Sequence, residues 1–314
     1  MLNKDSFKGL IPATVTPMKN DLEIDVDAFD TYLKWIVGQG IVGLAVNVDT
    51  GEGPTLTSDE RITLLELARK RLGNSKVLVA GLSAASTTAA KEEAKRAKDS
   101  GADVMLVFPN PAFRGNPPDP TALMDYCTKI AEAADIDLML FQLQDALGGI
   151  EFDEASLRDL ASLERVVAIK EAAFNFSKFK DTLSLIREIE SETGKDIAFL
   201  TGNDNFIFES FLWGCDGGLL GAGAMNTSSL VECYNACERG DWKAAVDSTR
   251  KFQPLVDIVF APPVRGYRAR TKACLYLQGL IPNKMVRPPL VEIYGSELEV
   301  LRNAMRKAGM EVLK

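Results

Sequence analysis

The chain has 314 residues, enough for one large barrel or two ordinary domains around a substantial core. With 46% hydrophobic and 25% charged residues and a net charge of −8, it reads as a soluble globular protein, and nothing supplies the broad basic surface that a nucleic-acid partner needs. Histidine is absent, which removes Ser-His-Asp and Cys-His catalysis and leaves acid/base work to Lys, Tyr, Asp, Glu or the substrate. No stretch approaches ~18 uninterrupted apolar residues and the first residues hold no signal-peptide-like run, so neither a membrane nor export is expected and the cytoplasm is the default location. Five cysteines without Cys-x-x-Cys spacing fit reduced thiols.

In chain order, Leu10 to Thr16 reads as a first strand, and a helix from about Val26 places Phe29, Leu33, Ile36 and Val37 on one face before Gly40 ends it. Gly43 to Val48 is a second strand, and after the loop Asp49 to Pro54 the stretch Thr57-Ser58-Asp59-Glu60 opens a helix with capping-box spacing. Val77 to Gly81 is the third strand, and its helix carries Ala90, Ala94 and Ala97 on one stripe. Val104 to Phe108 is the fourth, followed by a Pro-rich loop and a helix starting at Asp119-Pro120. Leu138 to Phe141 is the fifth, Asp153 caps a short helix, Val166 to Lys170 is the sixth, and a helix spans about Ser177 to Glu190. Ile197 to Thr201 and Gly218 to Gly221 are the seventh and eighth, separated by an aromatic helix with Phe206, Phe208, Phe211 and Trp213. Eight βα units in roughly 225 residues predict an α/β fold, a (β/α)8 TIM barrel over residues 1–226. A C-terminal helical region over 227–314 follows, its first helix closing the barrel. Within it, Arg265, Arg268, Arg270 and Lys272 read either as an anion or subunit contact or as a solvated helix face.

Barrel chemistry gathers where strands end, so the residues just beyond each apolar run are the candidates: Thr14 and Thr16, Asp49 to Glu52, Asn110, Gln142 with Asp145, Lys170 with Glu171, Asn203 with Asp204, and Gly221 to Gly223. The carboxylates among them could hold magnesium, although their spacing does not demand it. The glycines after the eighth strand could cradle a phosphate or simply allow close packing. Lys170 emerges from Val166-Val167-Ala168-Ile169, a run suited to a strand buried on both faces. A lysine there is either a solvated cap or an amine able to form a Schiff base, and at an ordinary pKa near 10.4 only ~0.1% of it is neutral near pH 7.4, so desolvation must assist.

The stretch Val-Val-Ala-Ile-Lys-Glu-Ala around Lys170 resembles the Schiff-base strand of the dihydrodipicolinate synthase/N-acetylneuraminate lyase family of class I aldolases. Thr16-Pro17, Asp49-Thr50-Gly51-Glu52, Thr55-Leu56-Thr57, Gly202-Asn203-Asp204 and the helical extension are similar too, over nearly the whole chain. The resemblance implies an imine between Lys170 and a 2-oxo acid of pyruvate type, with the carboxylate held by the Asp49-Thr50 loop. It implies no cofactor or metal and a homo-oligomer, tetramer or dimer. Thr16, Thr50, Gly51, Gln142, Asn203 and Gly221 are the expected substrate-binding residues, with Lys170 and Asp49 catalytic.

Relatives carry a tyrosine at the end of strand five as the proton carrier, whereas this chain has Phe141-Gln142-Leu143-Gln144. Asn110-Pro111 and Ala146 stand near the synthase's second tyrosine and its arginine, so dihydrodipicolinate synthase activity is not expected. Asp49, or else Asp145, could replace the tyrosine; alternatively Asp49 caps its loop or pairs with a cation. Three functions follow: a C–C lyase, a dehydratase of 2-keto-3-deoxy sugar acids with which Gln142 is compatible, or a noncatalytic 2-oxo acid binder.

Overall fold

A computed structural model describes residues 2–113 and 119–314; the rest of the Pro-rich loop expected after strand four lies outside the described residues. Eight strands form one parallel sheet: β1 (Gly9–Pro12), β2 (Gly43–Val46), β3 (Val77–Leu82), β4 (Val104–Val107), β5 (Asp137–Leu143), β6 (Val166–Ala172), β7 (Ala198–Thr201) and β8 (Gly217–Leu220). From β2 to β8 each strand pairs with the next in sequence, and β1 pairs with β8. The ring closes where Ala13 bridges Ala45, the Thr14 amide donates to the Ala45 carbonyl at 2.9 Å and the Val42 amide donates to the Leu10 carbonyl at 3.1 Å. The expected TIM barrel is therefore present, its β1 and β2 edges joined by these contacts.

The sequence period of two sorts each strand between two cores. Ile11, Ala45, Val79, Leu106, Met139, Ala168, Leu200 and Leu219 fill the barrel interior, while Leu44, Leu78, Met105, Leu138, Ile169 and Phe199 meet the helices outside. Helices α1 (Val26–Val37), α2 (Ser58–Leu72), α3 (Thr87–Asp99), α4 (Pro120–Ala134), α5 (Glu154–Ser162), α6 (Phe176–Thr193), α7 (Ile207–Leu212) and α8 (Thr227–Glu238) cover the sheet. Their starts follow local chemistry. Thr57 and Glu60 form the reciprocal capping box, and the Asp119 carboxylate accepts from the Thr121 amide at 2.9 Å. Ala90, Ala94 and Ala97 are all buried, which lets α3 lie close to the sheet.

Two differences from expectation bear on the site. β6 runs to Ala172, two residues past Lys170, so the lysine sits inside the strand's last turn of pleat rather than at its end. The second concerns the extension, α9 (Trp242–Val259), α10 (Tyr267–Leu277) and α11 (Gly295–Lys307). Arg268, Arg270 and Lys272 on α10 are buried, not a solvated face, and each has an internal acidic partner: Asp49, Glu297 and Glu52. Buried cations survive only when paired, and the loop after β2 supplies two of the partners.

Candidate functional site

On β6 the pleat turns Ala168, Lys170 and Ala172 into the barrel and Ile169 and Glu171 outward. Lys170 is 8% exposed and its Nζ lies 4.3 Å from the ring centroid of Phe141, its register partner on β5. Phe108 meets that ring edge-on at 5.1 Å. Gly202 lets the lysine pass, since a Cβ there would stand 2.5 Å from Lys170 Cε. Burial lowers the Lys170 pKa to about 8, with the negative charges of Asp204 and Asp49 opposing the shift. Lys195 is also lowered to about 8 by burial, but its Nζ donates to the carbonyls of Ala161 and Leu163 at the end of α5, where it caps a helix. Location in the barrel mouth therefore separates the two amines more clearly than basicity does.

Asp204 follows β7, buried, its Oδ1 accepting from the Ala222 amide at 2.8 Å and its carbonyl accepting from Gln253 Nε2 of α9 at 3.0 Å. Burial raises its pKa to about 7 despite that amide and the charge of Lys170. A carboxyl titrating near neutrality beside an amine of lowered pKa is an arrangement suited to moving protons.

The opposite side is built by the loop after β2. Two short 3-10 turns, Asp49–Gly51 and Gly53–Thr55, meet at Glu52, whose φ is +58°. Gly51 permits the fold here, because a Cβ would come 2.8 Å from the Thr14 carbonyl. Glu52 pairs with Lys272 at 2.5 Å, both essentially inaccessible, and its other oxygen accepts from the Arg287 amide at 2.8 Å. Asp49 Oδ1 is ion-paired with Arg268, whose Nε donates to the Asp49 carbonyl at 3.0 Å. Asp49 Oδ2 accepts from Tyr267 Oη at 2.7 Å, and Thr50 Oγ1 lies 3.4 Å from the same hydroxyl. The Tyr267 ring stacks on Phe260 at 4.8 Å.

Lys170, Asp49, Thr50, Gly221, Asp204 and Tyr267 thus line one recess, with Phe141, Ala172, Phe174 and Phe260 as its apolar surface. It adjoins a cavity of about 410 Å³ through Asp49, Leu143 and Leu147, bounded also by Phe108, Arg265 and Leu290. The other expected residues lie elsewhere. Thr16 Oγ1 donates to the Gly51 carbonyl at 2.8 Å, so this pair braces the loop and neither residue lines the recess. Gln142 faces the outer layer, donating to Glu171 Oε1 at 3.2 Å and Thr182 Oγ1 at 3.1 Å and accepting from the Phe152 amide at 3.1 Å. Asn203 joins that network through Glu171 Oε2 at 2.5 Å and the Phe174 amide at 2.7 Å. Glu171, the carboxylate they enclose, has its pKa raised by burial. Asp145 is exposed and does not line the recess.

The sequence patterns do not point to Tyr267, and they point to Arg268 only as an anion or subunit contact or part of a solvated face. A signal existed: cations at 268, 270 and 272 occupy opposite faces of one helix, so they cannot all be solvated, and acids at 49 and 52 offer matching spacing.

A family model described as the dihydrodipicolinate synthetase family matches residues 6–308. The 4-hydroxy-tetrahydrodipicolinate synthase of Kosmotoga olearia is 30% identical over 304 residues, covering 97% of this chain and 99% of that one. The protein of the same name from Bdellovibrio bacteriovorus is 29% identical over 314 residues, with 97% and 99% covered. Among solved structures, dihydrodipicolinate synthase from Thermotoga maritima superposes with a TM-score of 0.85 at 26% identity, covering 97% of this chain and 99% of that one.

Proposed function

The chain belongs to the dihydrodipicolinate synthetase family, and from that premise we propose that it is a lyase whose Lys170 forms a Schiff base with a 2-oxo acid and makes or cleaves the adjacent C–C bond. The observation that carries this reading is the buried Lys170 in the barrel mouth, its pKa lowered to about 8. At that value about a fifth of the amine is neutral at pH 7.4, against ~0.1% of an ordinary lysine. Neutral Nζ adds to C2, and the resulting carbinolamine loses its hydroxyl as water, for which the Asp204 carboxyl is the proton donor. The protonated imine then withdraws electrons from C3, so a bond at C3 can break with its electron pair or form to an electrophile.

Phe141, Asn110 and Ala146 support a reaction other than that of the synthase, since none offers the expected hydroxyl or guanidinium. Dehydration of a 2-keto-3-deoxy sugar acid is the second reading. It draws support from the cavity of about 410 Å³ beside the recess, which suits a chain longer than pyruvate, and not from Gln142, which faces the outer layer. Pyruvate release marks the first reaction; loss of water with the carbon skeleton intact marks the second.

The test is borohydride reduction in the presence of pyruvate and a panel of 2-keto-3-deoxy acids, read by peptide mass at Lys170. An adduct at Lys170 that is absent from Lys170→Met is expected. If none of these acids leaves an adduct there, the Schiff-base reading fails and a binding protein is the better description.

A further inference from the structure

Phe141 has no hydroxyl with which to move a proton, and among the described residues only two that line the Lys170 recess have one: Thr50 and Tyr267. Tyr267 comes from α10 of the extension, is 5% exposed, and is fixed on three sides by Phe260, Asp49 and Thr50. We infer that Tyr267, with Asp49 behind it, is the proton carrier of this site, taking and returning the proton at C3 of the Lys170 imine. The inference rests on the Schiff-base reading and adds to it the group that moves the proton.

The hydrogen-bond directions define the relay. The phenol proton is committed to Asp49 Oδ2, so Thr50 Oγ1 is the donor in the longer contact and one lone pair of the phenol oxygen remains to take a proton. When the C3–H bond of the imine breaks, the phenol oxygen takes that proton while its own passes to Asp49 Oδ2. The C3 electrons form C2=C3 and the C2=N electrons move to Nζ, leaving a neutral enamine and a protonated Asp49. The reverse transfer restores the carboxylate. No free phenolate arises, which agrees with the direction in which burial and the Asp49 charge push Tyr267, well above an ordinary phenol. Arg268, paired with Asp49 and donating to its carbonyl, positions the carboxylate without contacting the reacting atoms.

The experiment separates the carrier from the nucleophile. Exchange of the C3 hydrogens in D2O is followed by proton NMR, alongside borohydride trapping, for the wild type and Tyr267→Phe. The probe is pyruvate, or 2-keto-3-deoxygluconate where pyruvate does not trap. For Tyr267→Phe, trapping within about twofold of wild type and exchange slowed about 10²-fold or more are expected, in the range general acid/base groups supply. Asp49→Asn is expected to slow exchange comparably. Wild-type exchange in Tyr267→Phe with trapping intact overturns the inference while leaving the Schiff base standing. Loss of trapping together with exchange makes Tyr267 a structural support and also overturns it. A wild type that traps neither probe removes the Schiff-base reading and this inference with it.

Discussion

The two walls of the Lys170 recess are made of different chemistry. On the β5 and β6 side, Phe141, Leu143 and Ala172 present only carbon to the amine. On the opposite side, Asp49, Thr50 and Tyr267 form a hydrogen-bonded chain anchored by Arg268, and Asp204 stands between the two walls. The apolar wall desolvates the lysine and so favours its neutral form; the polar wall offers groups that can bind a carboxylate or carry a proton. Family relatives place a proton-carrying tyrosine on the first wall. In this chain a hydroxyl arrives on the second, from a helix beyond the barrel, so the barrel supplies the proposed nucleophile and the extension the proposed proton carrier.

Removing the group that both walls serve is expected to have the largest effect. Lys170→Met should lower turnover by more than about 10³-fold, because no other amine among the described residues lines the recess. The same variant should unfold less readily than wild type at pH 7. Burial lowers the Lys170 pKa to about 8 in the folded state from the ordinary 10.5, so below pH 8 folding carries the penalty of a buried ammonium. Between about pH 8 and 10.5 the unfolded wild type binds the extra proton, wild-type stability rises, and the advantage of Lys170→Met should shrink. Urea unfolding at pH 7, 9 and 10.5 checks this, and an advantage that grows with pH contradicts it.

Glu52→Gln attacks the foundation of the polar wall. It strands Lys272 beside a neutral amide, and breaking a buried pair typically costs ~3–5 kcal/mol. A fall in urea midpoint with unchanged slope is the expected result. Deprotonation of Lys272, whose pKa burial already lowers, limits the loss, which should therefore diminish at alkaline pH. Asp204→Asn sharpens the division between nucleophile and proton donor. Its negative charge raises the Lys170 pKa, so its removal should move the midpoint of the pH-dependent trapping rate downward, while turnover falls about 10²-fold. An unmoved or higher midpoint would show that Asp204 does not act on the amine.

Much of the scaffold was readable locally. Capping residues such as Thr57 and Asp119 announce helix starts within four positions, and the eight apolar runs lie where the strands form. Lys170, Asp49, Thr50 and Gly221 were readable for the same reason, each lying just beyond or at the end of an apolar run. Tyr267 was not, because its partner Asp49 is 218 positions away and the contact exists only after the extension folds back. The Arg268 and Lys272 partners were hidden by the same distance. Gln142 and Asn203 illustrate a different limit. A strand-end rule finds the neighbourhood, but a shift of one residue exchanges the inside of the barrel for the outside. Phe141 and Gly202 face Lys170, whereas the residue after each joins the network around Glu171.

Gln142 therefore offers the mildest and most discriminating test of the two-wall comparison. If it bound substrate, Gln142→Leu would raise KM for the 2-oxo acid. Instead its amide fills a buried network, donating to Glu171 and Thr182 and accepting from the Phe152 amide. Leucine keeps much of the volume but leaves the Phe152 amide without its acceptor and Glu171 with one donor fewer, a cost of about 1–3 kcal/mol for a buried group left unsatisfied. Glu171 retains Asn203 and the Ala173 amide, so the strand keeps its register. The expected outcome is reduced unfolding free energy with KM and the trapping rate within about twofold of wild type, measured on the same preparation. A KM effect without a stability effect would instead bring Gln142 into the site and make the β5 side a binding wall as well as a desolvating one.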